Sequence, residues 1–103
     1  MFVAMNRFNV VAGQEAEFER IWRERETYLA GTDGFVRFAL LKSEMTPGEY
    51  VSHSTWRDRA AFMAWMQSPA FAAGHSQGSL KGILTGPPMP SMFEAVIVEG
   101  EEG

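Results

Sequence analysis

The beginning of the chain alternates between two rows of side chains in the manner of a β-strand. Within residues 2–11, one row consists of Phe2, Ala4, Asn6, Phe8 and Val10, and the residues between them form the other. Both rows are largely apolar, which is typical of a strand covered on both faces. The pattern predicts a strand over residues 2–11, with Asn6 as a polar interruption of an apolar row.

The next segment has the period of an amphipathic α-helix. One face carries Phe18, Ile21, Trp22, Arg25 and Leu29, and charged residues occupy most of the other positions. We expect a helix over residues 14–29, ended by Ala30-Gly31 and followed by a turn at residues 32–34.

The remainder of the chain predicts a hairpin, a helical region and a last strand. Thr46-Pro47-Gly48 separates two β-rich runs. Asp58 is suited to cap a helix, and Pro69 is suited to a first helical turn. The expected elements are strands over 35–44 and 49–56, a helix over 59–67, a helical segment over 69–76, a glycine- and proline-rich loop over 76–91, and a strand over 92–99.

The predicted order of elements is strand, helix, strand, strand, helix, strand. This is the ferredoxin-like βαββαβ arrangement of the α+β class, with the helices on one face of the sheet. The other face needs a cover, and a second copy of the same sheet is the simplest one. We expect a single domain over residues 1–103 that pairs into a dimeric β-barrel, a homodimer, with a disordered acidic tail at residues 100–103.

Composition narrows the possible functions. The net charge of −4 argues against a nucleic-acid partner, and the absence of cysteine excludes thiolate metal sites and disulfides. The first residues are too polar for a secretory signal, and no apolar run approaches the length of about 20 residues that crosses a bilayer. We expect a cytoplasmic protein with no membrane partner.

Two histidines are candidate metal ligands, since a neutral imidazole binds iron well. His75 follows the small residues Ala72-Ala73-Gly74, which leave room beside the ring for a large, flat ligand. His53, in the third strand, is a rival. We favour His75 because its surroundings are helical, small and next to the predicted loop.

Three further side chains are candidates with structural alternatives. Asn6 must find hydrogen-bond partners or destabilise the fold by about 1–3 kcal/mol, and a backbone group could serve as well as a ligand. Trp65 shares a helical face with Phe62, which is also the pattern of a core stripe. Arg25, beside Trp22 on the inner face of its helix, could extend to solvent or pair with a ligand carboxylate.

Several segments resemble the IsdG-type haem-degrading monooxygenases of the antibiotic biosynthesis monooxygenase superfamily. They are AMNRFNV, WRERE with the DGF that follows, and STWRDRAAFMAWMQSPAFAAGH, and the resemblance runs from about residue 3 to residue 98. A strand Asn, a helix Trp and a His form the haem site of that family, and they correspond to Asn6, Trp65 and His75. Arg25 matches a recurrent helix Arg.

The resemblance implies a haem oxygenase in which haem is both cofactor and substrate. His75 would be the axial ligand of the haem iron, Trp65 would press on and ruffle the porphyrin, and Asn6 would form a hydrogen bond on the open side of the haem. Dioxygen and an external electron donor, either a reductase or a small reductant, would open the ring and release iron. A cofactor-free monooxygenase of a quinol or polyketide-like aromatic, and a non-catalytic haem-binding protein, remain alternatives.

Overall fold

In a computed structural model, the chain folds into a four-stranded antiparallel sheet with three helices on one face. The structure describes residues 1–75 and 80–100, without the side chain of His75. The strand order is β2-β3-β1-β4, and the predicted ferredoxin-like α+β class is confirmed. The elements are β1 (Phe2–Asn9), α1 (Glu15–Glu24), β2 (Phe35–Lys42), β3 (Glu49–Trp56), α2 (Arg59–Met66), α3 (Pro69–His75) and β4 (Met89–Glu94).

Strand β1 shows the alternation that its sequence predicts. Phe2, Ala4 and Phe8 are buried beneath the helices, whereas Arg7 and Asn9 on the opposite face are exposed. The strand ends at Asn9 rather than at residue 11, because Val10 makes only an isolated bridge to Leu84.

The hydrophobic core beneath the helices is divided into two clusters. The Trp56 cluster comprises Phe2, Ala4, Leu29, Trp56, Ala61 and Trp65. The Phe18 cluster comprises Phe8, Val10, Phe18, Ile21, Tyr50 and Ile83. Along β1, Ala4 belongs to the first cluster and Phe8 to the second, so Asn6 lies at the boundary between them.

Helix α1 is shorter than predicted, and its expected end at residue 29 is wrong. Arg25 already has extended backbone angles, and Tyr28 has a φ of 60°. Leu29 is nevertheless buried, but it packs in the Trp56 cluster instead of beside Ile21. Burial of Leu29 in the Trp56 cluster takes the chain away from the α1 axis, which overrides the helical pattern.

The last strand begins and ends earlier than the predicted range of 92–99. It includes Pro90, which a strand tolerates at the edge of a sheet, and β4 pairs only with β1. It ends at Glu94 because its partner there is Phe2, at the start of β1. The expected loop over 76–91 is therefore wrong for residues 89–91, while residues 76–79 lie outside the described residues.

The remaining boundaries lie close to their predictions. The β2–β3 hairpin forms, although β2 ends at Lys42. Asp58 caps α2 by accepting a hydrogen bond from the Ala61 backbone N–H at 2.9 Å, as predicted. Of the acidic tail, residues 101–103 lie outside the described residues. No helix in the described ranges is both long enough and apolar enough to span a bilayer.

The sheet face opposite the helices has no cover within the described chain. Strand pairing places Val3, Met5, Val51, His53 and Phe93 on this open face. Phe93 is 52% exposed, and the residues that follow β4 are apolar and exposed as well: Val96 (90%), Ile97 (79%) and Val98 (51%). The homodimer that would cover this face remains a prediction.

Candidate active site

A cavity of about 210 Å³, the central cavity, lies at the boundary between the two core clusters. Its floor is the middle of β1 and β3, and its walls come from the end of α1 and from α2 and α3. The lining includes Asn6, Trp22, Arg25, Phe38, Trp65 and Gly74. The cavity thus brings together three of the four predicted site residues.

Asn6 contributes a polar group to the floor. In the sheet it is paired with Ser52 of β3 on one side and with Pro90 of β4 on the other. Its Oδ1 atom is buried and has no hydrogen-bond partner among the described residues. A backbone partner for this oxygen, the structural alternative considered from sequence, is therefore not seen in the described part of the chain. The Asn6 amide retains hydrogen-bonding capacity for a ligand.

Trp65 is both a core residue and a wall of the central cavity. Its side chain is 7% exposed and lies in the Trp56 cluster. The ring centroids of Trp65 and Trp56 are 6.2 Å apart, and Phe71 meets Trp65 edge-on at 5.9 Å. Packing on two sides fixes the indole, so this wall is rigid.

Arg25 lies at the C-terminal end of α1 and lines the central cavity. Its guanidinium carbon is 4.6 Å from the centroid of the Trp22 ring. Burial lowers the pKa of this guanidinium from its ordinary value, although an arginine side chain stays protonated in proteins. Arg25 therefore brings a positive charge to a wall that contains Trp22.

The two histidines differ in their relation to the cavity. His53 pairs with Met5 in β1 and with Ala39 in β2, so it lies on the open face of the sheet, opposite to Asn6. The backbone of His75 ends α3 directly after Gly74, which is buried and lines the cavity. The side chain of His75 lies outside the described residues, so its role as a ligand remains a prediction.

The sequence pattern alone did not identify several lining residues. Trp22 shares its helical face with the core residues Phe18 and Ile21, yet it lines the cavity, and its buried Nε1 atom has no hydrogen-bond partner in the described ranges. Ser52 could have been found from register, since a β1–β3 pairing places it opposite Asn6. Ser54 has a structural role, because its hydroxyl accepts from Trp56 Nε1 at 2.9 Å and donates to the Ala4 carbonyl.

The ferredoxin-like sheet and its aromatic-walled cavity place this chain among α+β proteins that can bind a flat and mostly apolar ligand. Residues 1–77 match the family described as antibiotic biosynthesis monooxygenase. The chain belongs to this family.

Individual relatives are similar over nearly the whole chain. A mycobilin-producing haem oxygenase of Mycobacterium tuberculosis (strain CDC 1551 / Oshkosh) is 31% identical, over 98% of this chain and 94% of its own length. The structure of the haem degrader MhuD of M. tuberculosis, with two haems in its active site, is 30% identical with a TM-score of 0.79, over 97% of this chain and all of that one.

A relative of different chemistry is similar to a comparable degree. The crystal structure of SnoaB, a cofactor-independent oxygenase from Streptomyces nogalater, is 29% identical with a TM-score of 0.71, over 97% of both chains. The family and these relatives together support an oxygenase, and they show that the family contains oxygenases with and without haem.

Proposed function

We propose that this protein is a haem-degrading monooxygenase that opens the porphyrin with dioxygen and electrons and releases iron. The observation that carries the proposal is the central cavity, where an Asn6 oxygen without a described partner lies among aromatic walls and beside the charge of Arg25. The relatives that bind and degrade haem support the same reaction.

The chemistry of the lining fits haem. Its aromatic walls, Trp22, Phe38 and Trp65, suit an apolar macrocycle, and Arg25 suits the carboxylates at the edge of that macrocycle. The cavity is smaller than a whole tetrapyrrole. A bound haem would therefore extend past Met92, which lines the cavity and is 52% exposed.

Each proposed site residue has a distinct role. The imidazole of His75, next to the cavity-lining Gly74, would hold the iron. Trp65 is fixed by Trp56 and Phe71, so a bound ring would have to bend against it. The Asn6 amide would form a hydrogen bond on the side of the haem where dioxygen reacts. Haem supplies the redox-active iron and is also the molecule that is oxidised.

A homodimer completes the proposal. The open face carries Met5, Val51 and Phe93, and the exposed apolar residues 96–98 follow the end of β4. A sheet face and an apolar segment that have no cover among the described residues suit contact with a second copy of the same chain.

A paired spectroscopic experiment tests the function. Purified protein is titrated with haem, and binding is followed by the haem absorbance. A reductant and oxygen are then added, and the haem band is followed with time. We expect saturable binding and then loss of the band with release of iron. If the haem absorbance band is stable under these conditions, the protein binds haem without degrading it.

A cofactor-free oxygenase of a quinol or polyketide-like aromatic is the second candidate. The modest cavity volume of about 210 Å³ favours it, because a smaller aromatic would be fully enclosed. The similarity to SnoaB supports it too. The first arm of the same experiment separates the two proposals, since this candidate requires no saturable haem binding.

A further inference from the structure

A second cavity lies beside the central one, and the proposed function assigns no ligand to it. This α1 groove has a volume of about 270 Å³ and lies between helix α1 and strands β2 and β3. Its apolar surface is formed by Trp22, Phe38 and Leu40, and its polar rim by Glu19, Arg23 and Lys42. Aromatic side chains and charged side chains therefore lie next to each other in the groove.

The groove lies beside the C-terminal half of α1. Phe38 and Leu40, on the helix-facing side of β2, are only partly buried. The rings of Trp22 and Phe38 stack with their centroids 5.7 Å apart and their planes at 22°. Both residues line the central cavity as well. The two cavities thus share a wall of stacked aromatic rings.

The rim of the groove carries more positive than negative charge. Glu19 is the single carboxylate among the described residues of the lining. It accepts a hydrogen bond from the Tyr50 hydroxyl at 2.5 Å, and it pairs with Arg23 at 3.0 Å and with Lys42 at 3.2 Å. Arg23 and Lys42 have highly exposed side chains, 74% and 64%, so both can also turn towards a bound anion.

We propose that the α1 groove binds a planar aromatic reductant that carries an anionic group, and that the Trp22–Phe38 wall separates this molecule from the ligand of the central cavity. The ring system would pack on the partly buried aromatic surface, and the anion would bind the solvent-exposed sides of Arg23 and Lys42. A simple anion would not contact the aromatic rings, and an uncharged aromatic molecule would not pair with the two cations. The groove therefore favours a molecule that has both an aromatic ring system and an anionic group.

The role as electron donor rests on the proposed function, whereas binding in the groove does not. A reduced flavin belongs to this chemical class. It would give up two electrons and two protons to become the oxidised flavin. Each electron would convert one ferric haem iron in the central cavity to ferrous iron, and the protons would pass to solvent at the exposed rim.

The test uses flavin mononucleotide as the probe, with binding to the haem-free full chain followed by quenching of flavin fluorescence. We expect saturable binding, and weaker binding of lumiflavin, which has the ring system without the phosphate. Arg23→Ala and Lys42→Ala should each weaken binding of the mononucleotide about fivefold, the effect of losing one charge near the surface. Arg20→Ala is the matched control, because Arg20 lies on the same helix outside the groove and pairs with Glu17 and Glu24.

The same variants are then tested with haem. Lys42→Ala should leave haem affinity unchanged, and it should slow haem loss driven by reduced flavin but not by dithionite. Absence of saturable flavin binding, equal weakening in Arg20→Ala, or loss of haem affinity in Lys42→Ala would each overturn the proposal. If the wild type binds flavin but not haem, the proposed function fails and the groove stands as a flavin site.

Discussion

Gly74 lies directly against the backbone of Thr27. A Cβ atom at position 74 would be 3.2 Å from the Thr27 carbonyl oxygen and 3.3 Å from that of Glu26. The C-terminal end of α3 is therefore packed onto the segment that follows α1, and this contact sets the position of the His75 backbone beside the central cavity.

Gly74→Ala should lower both stability and haem affinity. Replacement of glycine by alanine inside a helix ordinarily stabilises it by about 0.5–1 kcal/mol. Here the new methyl group would press on two carbonyl oxygens of the backbone, and we expect a net loss of about 1 kcal/mol. Thermal unfolding and haem titration are the measurements. Gly86→Ala is the control, since nothing lies within 4 Å of a Cβ there. Equal melting temperatures of the two variants would contradict the prediction.

His75→Ala should abolish haem binding, whereas His53→Ala should preserve it. The residue before His75 lines the central cavity, and His53 lies on the opposite face of the sheet. Haem absorbance in the two variants is the measurement. The ligand assignment is wrong if His53→Ala loses the haem spectrum while His75→Ala retains it.

Asn6→Ala should bind haem but degrade it about a hundredfold more slowly, which is the usual effect of losing one hydrogen bond to developing charge. Its melting temperature should not fall, because the buried Oδ1 has no partner among the described residues. Asn9→Ala, on the exposed face of the same strand, is the control. A lower melting temperature with an unchanged rate of haem decay would assign Asn6 to structure alone.

Tyr50 should make stability fall at alkaline pH. Burial, followed by its hydrogen bond to Glu19, raises the pKa of the Tyr50 hydroxyl from 10.0 to about 12. The folded protein therefore holds a proton that the unfolded chain releases, and the stabilisation present below pH 10 is lost as the pH rises to about 12. Urea unfolding across this range measures the effect. Tyr50→Phe should flatten the dependence, and Tyr28→Phe, at a 44% exposed residue, should not.

Phe93→Glu should dissociate the proposed homodimer. Phe93 lies on the open face opposite Val3, so a charge there would be buried between two sheets. Light scattering should give twice the chain mass of 11.5 kDa for the wild type and the single mass for the variant. Met45→Glu, in the β2–β3 turn at a 90% exposed residue, should remain dimeric. A wild-type monomer would refute the dimer.

The candidate site was only partly accessible from the sequence. The alternation of β1 was enough to place Asn6 on the helix-facing side. The helical period could not distinguish residues that line the central cavity from residues of the core, and Trp65 is both. Trp22 has the same spacing as a core residue, and only the tertiary structure shows that it lines two cavities.

By itself, the sequence determined the features that depend on neighbouring residues. The alternating faces of β1, the hairpin between β2 and β3 and the Asp58 cap all arise from contacts a few residues apart, so local pattern predicts them. The tertiary structure decided where α1 ends and where β4 begins and ends. These boundaries depend on partners far along the chain: Leu29 packs with Trp56, and β4 stops where its partner Phe2 begins β1. A local sequence pattern cannot predict where these distant partner residues will lie.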